Sequence, residues 1–428
     1  MSWLTDDRVD RATLDELVER IAPIVEEITG REFDRLPPVV IADLPRLERV
    51  LVEEQLHLMR MGGALPADHA RQAARENAAE VASSFVGKYG FLDGNLYVVP
   101  DGVRFALLGE RLDPELAPGV LTLVVAHELT HALQDQQSHL DVVASMRGGS
   151  DGLMAANCVV EGHAVWVHEQ VGVRLGLTAE VAAVAQILGY ELDDPERIDP
   201  ERFRTSYLYG QGRTFVDWHI AADGIESIWR ILAEPPASSS MIVNPETYSP
   251  VGSRPPPAGL LGAMRRGRDR LAEPGWSAVD EEIGDYDLRE RMLRDDAPEG
   301  LADRVASAWT ARRTGDDAGA EVELIRFDTP GDASSYVMAM YQHSSALVAE
   351  AVGESNGAVE GLSDLWDVLP AADLAAREII ALPELDGQRM STHWVASGPL
   401  VVQVVLVNAP PTERQVAAQI RRVLRRVE

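Results

Sequence analysis

A histidine and glutamate motif is the part of this chain whose residue types predict chemistry most directly. His127, Glu128 and His131 lie in the segment VVAHELTHALQDQ, with the two histidines four residues apart. On a helix this spacing puts both imidazoles on one face, where they can bind one metal ion. Glu128 follows the first histidine and can accept a proton from a metal-bound water. The motif therefore predicts a hydrolytic metal site, and zinc suits it because zinc keeps an open coordination position.

A catalytic zinc site needs a third protein ligand. Gln134 and Gln137 occupy the positions of the glycine and the histidine in the longer HExxHxxGxxH pattern, which excludes that arrangement. Glu161 is the one acid in a later apolar, helix-like stretch, and a carboxylate there needs a charge partner such as a metal ion. His163 and His168 follow on the same stretch and remain alternative ligands.

Further polar groups near the motif are candidates for supporting roles. Asp135 lies four residues after His131 and could orient an imidazole, although a solvated helix end explains it equally well. A hydrolase of this kind also needs a donor for the developing oxyanion. Tyr207, Tyr209 and His219 fall in one segment and are the candidates, with ordinary aromatic packing as the alternative for each.

The segments HELTHALQDQ and EGHA together resemble the gluzincin branch of zinc metallopeptidases. This resemblance implies that His127, His131 and Glu161 are the zinc ligands, that Glu128 is the general base and that the substrate is a peptide or protein. It also implies a mainly helical, zincin-like catalytic domain with a small edge sheet. Later segments, YLYG and NPETY, are similar to proteins of this type, except that Asn244 stands where a histidine is expected.

The resemblance also assigns roles to the elements around the motif. In such peptidases a strand before the HExxH helix forms the rim of the cleft, where a peptide adds as a further strand. Leu96–Val99 reads as a strand, so Gly94–Pro100 is the candidate rim, whereas Lys88–Asn95 has turn character. Gly162 and Ala164 are small, and we expect them to let their helix approach the HExxH helix closely.

The fold class predicted for the whole chain is α+β in three segments. Residues 1–255 form the zincin-like domain, residues 256–313 a helical or linker segment, and residues 314–428 a small ferredoxin-like α+β domain. The last boundary rests on the polar stretch from Arg313 to Gly319. Within the final domain, Arg389–Ala396 and Leu400–Val407 read as a hairpin.

Composition limits the classes of partner and compartment. The chain has 428 residues with 46% hydrophobic residues and a net charge of −30, which disfavours nucleic acid and anionic membranes as partners. No apolar run reads as a membrane span, and the acidic N-terminus has no signal-peptide pattern. Cys158 is the single cysteine, so no internal disulfide forms, and the expected location is cytoplasmic. Lys88 is the only lysine among many arginines. The sequence does not indicate an oligomeric state.

Three functional hypotheses follow from these observations. The first is a zinc-dependent hydrolase, most simply a peptidase, that uses Glu128 as base. The second keeps the metal site in a weak or inactive metallopeptidase-like protein that acts in binding or regulation, because of Asn244. The third is an interaction module in which zinc is structural. A structural site is closed by four protein ligands, whereas a catalytic one has three and an open position.

Overall fold

A computed structural model gives the structure of the protein. It describes most of the chain, with short gaps: residues 9–61, 71–72, 74–75, 78, 86–140, 150–190, 200–249, 258–273, 275–295, 297–298, 300–315, 318–354, 359–360, 374–382, 388–409 and 413–425. The chain divides into two compact units, Met1–Gly252 and Ser253–Glu428. Both combine helices with sheets, so the α+β class is confirmed.

The first unit is mainly helical. Its helices are α1 (Arg11–Thr29), α2 (Leu44–Met61), α3 (Pro100–Gly109), α4 (Ala117–Ser138), α5 (Ser150–Leu175), α6 (Thr178–Leu188), α7 (Pro200–Ser206), α8 (Gly212–Asp223), α9 (Glu226–Ala233) and α10 (Ser240–Val243). A π-helical turn, Tyr207–Gln211, joins α7 to α8. Helix α4 packs against α1, α5 and α6, and α5 packs against α8, so α4 and α5 form the centre of this unit.

Helix α4 carries the HExxH motif and is buried around nearly its whole circumference. Asp113 caps the short turn that leads into it by accepting the Glu115 N–H, and Pro118 stands in its first turn. By length and composition the segment Pro114–Ser138 could cross a membrane, which the sequence analysis did not recognise. In the structure 83% of the most apolar stretch of this helix is buried within the protein, as in the core helix of a folded domain.

A three-stranded sheet lies beside this helical core. Its strands are β1 (Val39–Ile41), β2 (Gly87–Gly90) and β3 (Asn95–Val98), in the order β1-β3-β2. Strand β3 confirms the predicted strand, but it is central, with β1 parallel on one side and β2 antiparallel on the other. The expected rim at Gly94–Pro100 is therefore wrong, because both edges of β3 are already paired. The edge strands are β1 and β2, and most of β2 was predicted to be part of a turn.

The second unit is built on a seven-stranded antiparallel sheet. Its strands are ordered β4-β5-β6-β10-β9-β8-β7, and their bounds are β4 (Ser277–Glu282), β5 (Val305–Thr314), β6 (Gly319–Phe327), β7 (Val359–Glu360), β8 (Leu374–Leu382), β9 (Gln388–Ser397) and β10 (Leu400–Val407). Its helices are α11 (Ala258–Leu271), α12 (Asp285–Arg294), α13 (Pro330–Glu354) and α14 (Glu413–Leu424). The predicted hairpin is confirmed as β9 and β10.

Alternating residues of these strands supply two cores, one on each face of the sheet. Val402 and Val404 pack with residues of α11 and α14, whereas Ile325 and Val401 pack with residues of α12 and α13. The polar stretch near residue 315 is the turn between the paired strands β5 and β6. The segment 256–313 thus contributes two strands and two helices to the same unit, whose element order is longer than the β-α-β-β-α-β order of a ferredoxin-like domain.

Candidate metal centre

The structure brings three ligand atoms together at the middle of α4 and α5. His127 Nε2 lies 3.1 Å from His131 Nε2 and 3.1 Å from Glu161 Oε2, and His131 Nε2 lies 3.3 Å from the same carboxylate oxygen. The two histidines are buried and Glu161 is partly buried. These three residues, here called the metal triad, form a group that can hold a metal ion. The predicted ligand set is thus assembled in the structure.

The charges around the triad favour a cation. Burial acts against ionisation of Glu161, but the neighbouring imidazoles of His131 and His127 hold its pKa well below the usual range. Burial likewise opposes protonation of His131, yet the charges of Glu161 and Glu128 raise the pKa of His131 to about 9. Without a metal, the carboxylates of Glu161 and Glu128 therefore favour a proton on His131, and a bound cation would take the place of this proton.

Each metal-ligating histidine has a polar contact on the ring nitrogen that faces away from the triad. His127 Nδ1 lies 3.2 Å from His168 Nδ1, and His131 Nδ1 lies 2.8 Å from Gln134 Oε1. Such contacts fix the ring orientation and the tautomer of a ligand. His168 is therefore placed behind His127 and not in the triad. Gln134 orients His131. The sequence alone indicated only that Gln134 excludes the longer HExxHxxGxxH motif.

Gln134 also connects the two central helices. Its amide nitrogen donates to Val160 O at 2.9 Å and contacts His163 Nδ1 at 3.1 Å. His163 is fully buried, with its ring edge against Trp229, and burial lowers its pKa to about 3. His163, named above as an alternative ligand, thus supports Gln134 as a neutral imidazole and lies outside the triad.

Glu128 lies between the triad and the edge strand β2. Its Oε2 accepts the main-chain N–H of Tyr89 at 2.6 Å, and its side chain is buried. A Cβ atom on Gly87 would lie 2.7 Å from Val124 and 3.1 Å from Glu128, so only glycine lets the strand approach α4 this closely. The strand therefore holds one oxygen of the Glu128 carboxylate.

Asp135 connects strand β2 to the C-terminal end of α4. It accepts the hydroxyl of Tyr89 at 2.9 Å and the N–H of Leu140 at 3.1 Å. The suggestion that Asp135 orients an imidazole is therefore wrong. Its helix face is that of His131, but the neighbouring β2 offers it a closer donor.

The position of Glu161 depends on a contact between two glycines. A Cβ atom on Gly162 would collide with the main chain of Gly212 on α8, and one on Gly212 would collide with the main chain of Cys158 on α5. The two helices therefore touch through their backbones. The expectation that Gly162 permits close approach is correct, but the partner is α8 and not the HExxH helix.

Tyr209 reaches the site from the π-helical turn. The centre of its ring lies 6.1 Å from that of His127, and burial together with the charges of Glu161 and Glu128 raises its pKa well above the usual value. It is therefore a protonated hydroxyl, and hence a hydrogen-bond donor, near the triad. A π-helical turn adds a residue to a helix and often occurs at functional sites.

The other sequence candidates lie elsewhere. The hydroxyl of Tyr207 donates to Ser239 O at 3.3 Å, and its side chain is buried. His219 is buried against the rings of Phe215 and Tyr248. Asn244 is exposed, and its amide donates to Ser240 O at the end of α10. Of the proposed oxyanion donors, the structure thus brings Tyr209 next to a metal ligand.

Comparison with known proteins gives little further information. No family model matches the chain, and no curated protein matches it. A crystal structure from Chloroflexus aurantiacus, described as a "putative hydrolase with a novel fold", is 20% identical, with a TM-score of 0.40. The match covers 57% of this chain and 92% of that chain. At this TM-score the likeness assigns neither a fold nor a function to the protein.

Proposed function

We propose that the protein is a zinc-dependent hydrolase that cleaves peptide bonds. The observation that carries the proposal is the geometry of the metal triad, whose ligand atoms are 3.1–3.3 Å apart, with Glu128 adjacent in sequence. The sequence resemblance to gluzincins agrees with this reading, although it is confined to two short segments.

The spacing of the triad supports zinc as the metal. Zinc binds imidazole and carboxylate at about 2.0–2.1 Å in a tetrahedral arrangement, which separates neighbouring ligand atoms by about 3.3 Å. The observed separations agree with this value. In the described part of the chain the group contains three residues and no fourth ligand. Three protein ligands and an open position are typical of a catalytic zinc site, which disfavours the structural alternative.

The residues around the triad have separate tasks in the proposed reaction. When bound, zinc supplies a Lewis acid that polarises the scissile carbonyl and lowers the pKa of water. Glu128 accepts the proton of the attacking water and passes it to the leaving amine. The N–H of Tyr89 holds Oε2 of Glu128, so that Oε1 is the oxygen that exchanges the proton. The Tyr209 hydroxyl donates to the oxyanion as it develops.

A second candidate is a metallopeptidase-like protein with weak or no catalysis. The observation that favours it is Asn244, which replaces the histidine expected from the resemblance and whose exposed amide is bonded to Ser240 O. If that histidine contributes to transition-state stabilisation in related enzymes, Tyr209 is the candidate donor for the same task among the residues that the structure describes.

The experiment compares wild type with Glu128→Gln, both loaded with zinc, on a library of internally quenched peptides. The variant keeps size and shape but cannot accept a proton, so we expect it to bind one equivalent of zinc and to lose about 10²–10⁴-fold in turnover. Glu115→Gln, an exposed residue just before α4, is the matched control and should behave as wild type. Equal turnover in Glu128→Gln would refute the mechanism. No cleavage by zinc-loaded wild type would favour the second candidate.

A further inference from the structure

Lys88, the only lysine of the chain, lies on the edge strand β2 next to Glu128. Its ammonium forms an ion pair at 3.0 Å with Glu54 of α2, and the two side chains are 20% and 6% exposed. A buried carboxylate such as Glu54 requires a cation, and Lys88 provides it. This explains why a charge is present, but not why the charge is carried by lysine.

Both residues of this ion pair also form hydrogen bonds with the main chain at or near Tyr89. Lys88 Nζ donates to Tyr89 O at 2.7 Å, and the second oxygen of Glu54 accepts the N–H of Phe91 at 2.9 Å. The carbonyl of Tyr89 is available because Leu96, its partner in β3, donates to Pro38 O on the other side of the sheet. The ion pair therefore holds the carbonyl of Tyr89 and, directly after β2, the N–H of Phe91.

The same residue holds the proposed general base, since the N–H of Tyr89 donates to Glu128. Thus Glu54, Lys88, Tyr89 and Glu128 form one chain of contacts from α2 to α4. Burial opposes the charged form of Lys88, but the charges of Glu54, Glu128 and Glu161 raise the pKa of Lys88 above its usual value.

We propose that Lys88, held by Glu54, is a positioning residue that fixes the Tyr89 backbone and through it the Glu128 carboxylate. The inference rests on the proposed function, because it assigns Lys88 a part in that reaction. Lysine suits this task because its ammonium is compact and can donate to a carboxylate and a carbonyl at the same time. The donors of an arginine side chain are instead fixed in the plane of the guanidinium group. The chain uses arginine at every other basic position, so the requirement for lysine here is specific.

The test uses full-length zinc-loaded protein with Lys88→Met, which keeps an unbranched side chain of similar length. Because this variant leaves Glu54 unpaired and could fail to fold, Lys88→Met/Glu54→Gln removes both charges and serves as the second variant. We expect the double variant to bind zinc as wild type does, with KM within twofold and kcat lowered about 10–100-fold, since displacement of a catalytic group by about 1 Å has an effect of this size. Hydrogen exchange at residues 87–91 should become faster.

Arg291→Met is the matched control. Arg291 pairs with Glu323 in the second unit, and the two side chains are 23% and 4% exposed, as for Lys88 and Glu54. Its loss should lower stability without changing kcat or exchange at residues 87–91.

The two proposals can fail separately. If wild type cleaves peptides and the double variant keeps its kcat, Lys88 has no positioning role and the inference is overturned. If wild type cleaves no peptide, the proposed function fails, but hydrogen exchange still decides the inference: unchanged exchange at Tyr89 in the double variant overturns the link from Lys88 to the Glu128 contact.

Discussion

Each unit of this protein buries a carboxylate, and the two units balance its charge in different ways. Glu323 in the second unit is bound by both terminal nitrogens of Arg291, at 2.7 and 3.0 Å, and Tyr336 lies beside the guanidinium. Glu161 in the first unit contacts two histidines, which are neutral unless protonated. Glu323 therefore has its counter-charge on a side chain of the protein, as Glu54 does in the first unit, whereas Glu161 needs a proton or a metal ion.

This difference separates a structural cluster from a binding site. A buried charge without a partner is strongly unfavourable, so both clusters must be neutralised. Where the partner is a side chain remote from the metal triad, as Arg291 is for Glu323, its removal should affect folding alone. Where the partner is a bound ion, its removal leaves charge uncompensated, and ion binding stabilises the folded state by mass action. The same type of substitution should therefore have different consequences in the two units.

The largest effect is expected for Glu161→Gln. The amide keeps the shape of the side chain but not its charge, so zinc affinity should fall by more than the roughly 10–100-fold that a residue behind a ligand contributes. The purified variant should lose its zinc at chelator concentrations that wild type tolerates, as measured by competition with a chromogenic chelator.

His168→Ala is the control for this substitution, because His168 contacts His127 on the side away from the triad. It should weaken zinc binding only about 10–100-fold. A greater loss in His168→Ala than in Glu161→Gln would identify His168 as the third ligand and contradict the triad.

The matching substitution in the second unit, Glu323→Gln, should act on folding. It leaves Arg291 buried without a counter-charge, which typically costs about 3–5 kcal/mol of stability. Denaturant unfolding should show this loss in the transition of the second unit, while zinc content stays at the wild-type value. Loss of zinc together with an unchanged unfolding transition would contradict the distinction between the clusters.

The smallest effect concerns His219, for which burial outweighs the opposing charge of Asp223. Burial lowers the pKa of His219 from its ordinary value of 6.5, so the folded protein favours neutral imidazole. The stability that this provides is present above the unfolded pKa and is lost as pH falls below about 6.5. His219→Leu should therefore reduce the decline in unfolding free energy between pH 7 and pH 5. An identical pH dependence in wild type and variant would show that His219 titrates normally.

The metal triad could be predicted because its geometry is local. His127 and His131 are one helical turn apart, and their spacing was sufficient for two of the three residues. The cost of a buried charge indicated Glu161 but left His163 and His168 as alternatives, and the resemblance to gluzincins implied the full set. The confirmed strand at Asn95–Val98 and the hairpin of β9 and β10 likewise depend on short alternating patterns and turn residues.

What could not be predicted depends on contacts between distant segments. The strand β2 contains two glycines and reads as a turn, and only the structure shows that Gly87 must lack a side chain to fit against Val124. Whether Gln134 or Asp135 orients His131 depends on which neighbours surround α4. The boundary predicted near residue 315 lies where the structure joins the paired strands β5 and β6, since a hairpin turn and a linker share the same polar composition.

The contact between Gly162 and Gly212 has a consequence for how the protein could change during evolution or design. Glu161 and Gly162 are consecutive residues of α5, so any side chain that wedges α5 from α8 also displaces a metal ligand. A change in the distance between α5 and α8 should therefore change the affinity for metal as well. A titration with metal would therefore report how closely the backbones of α5 and α8 are packed.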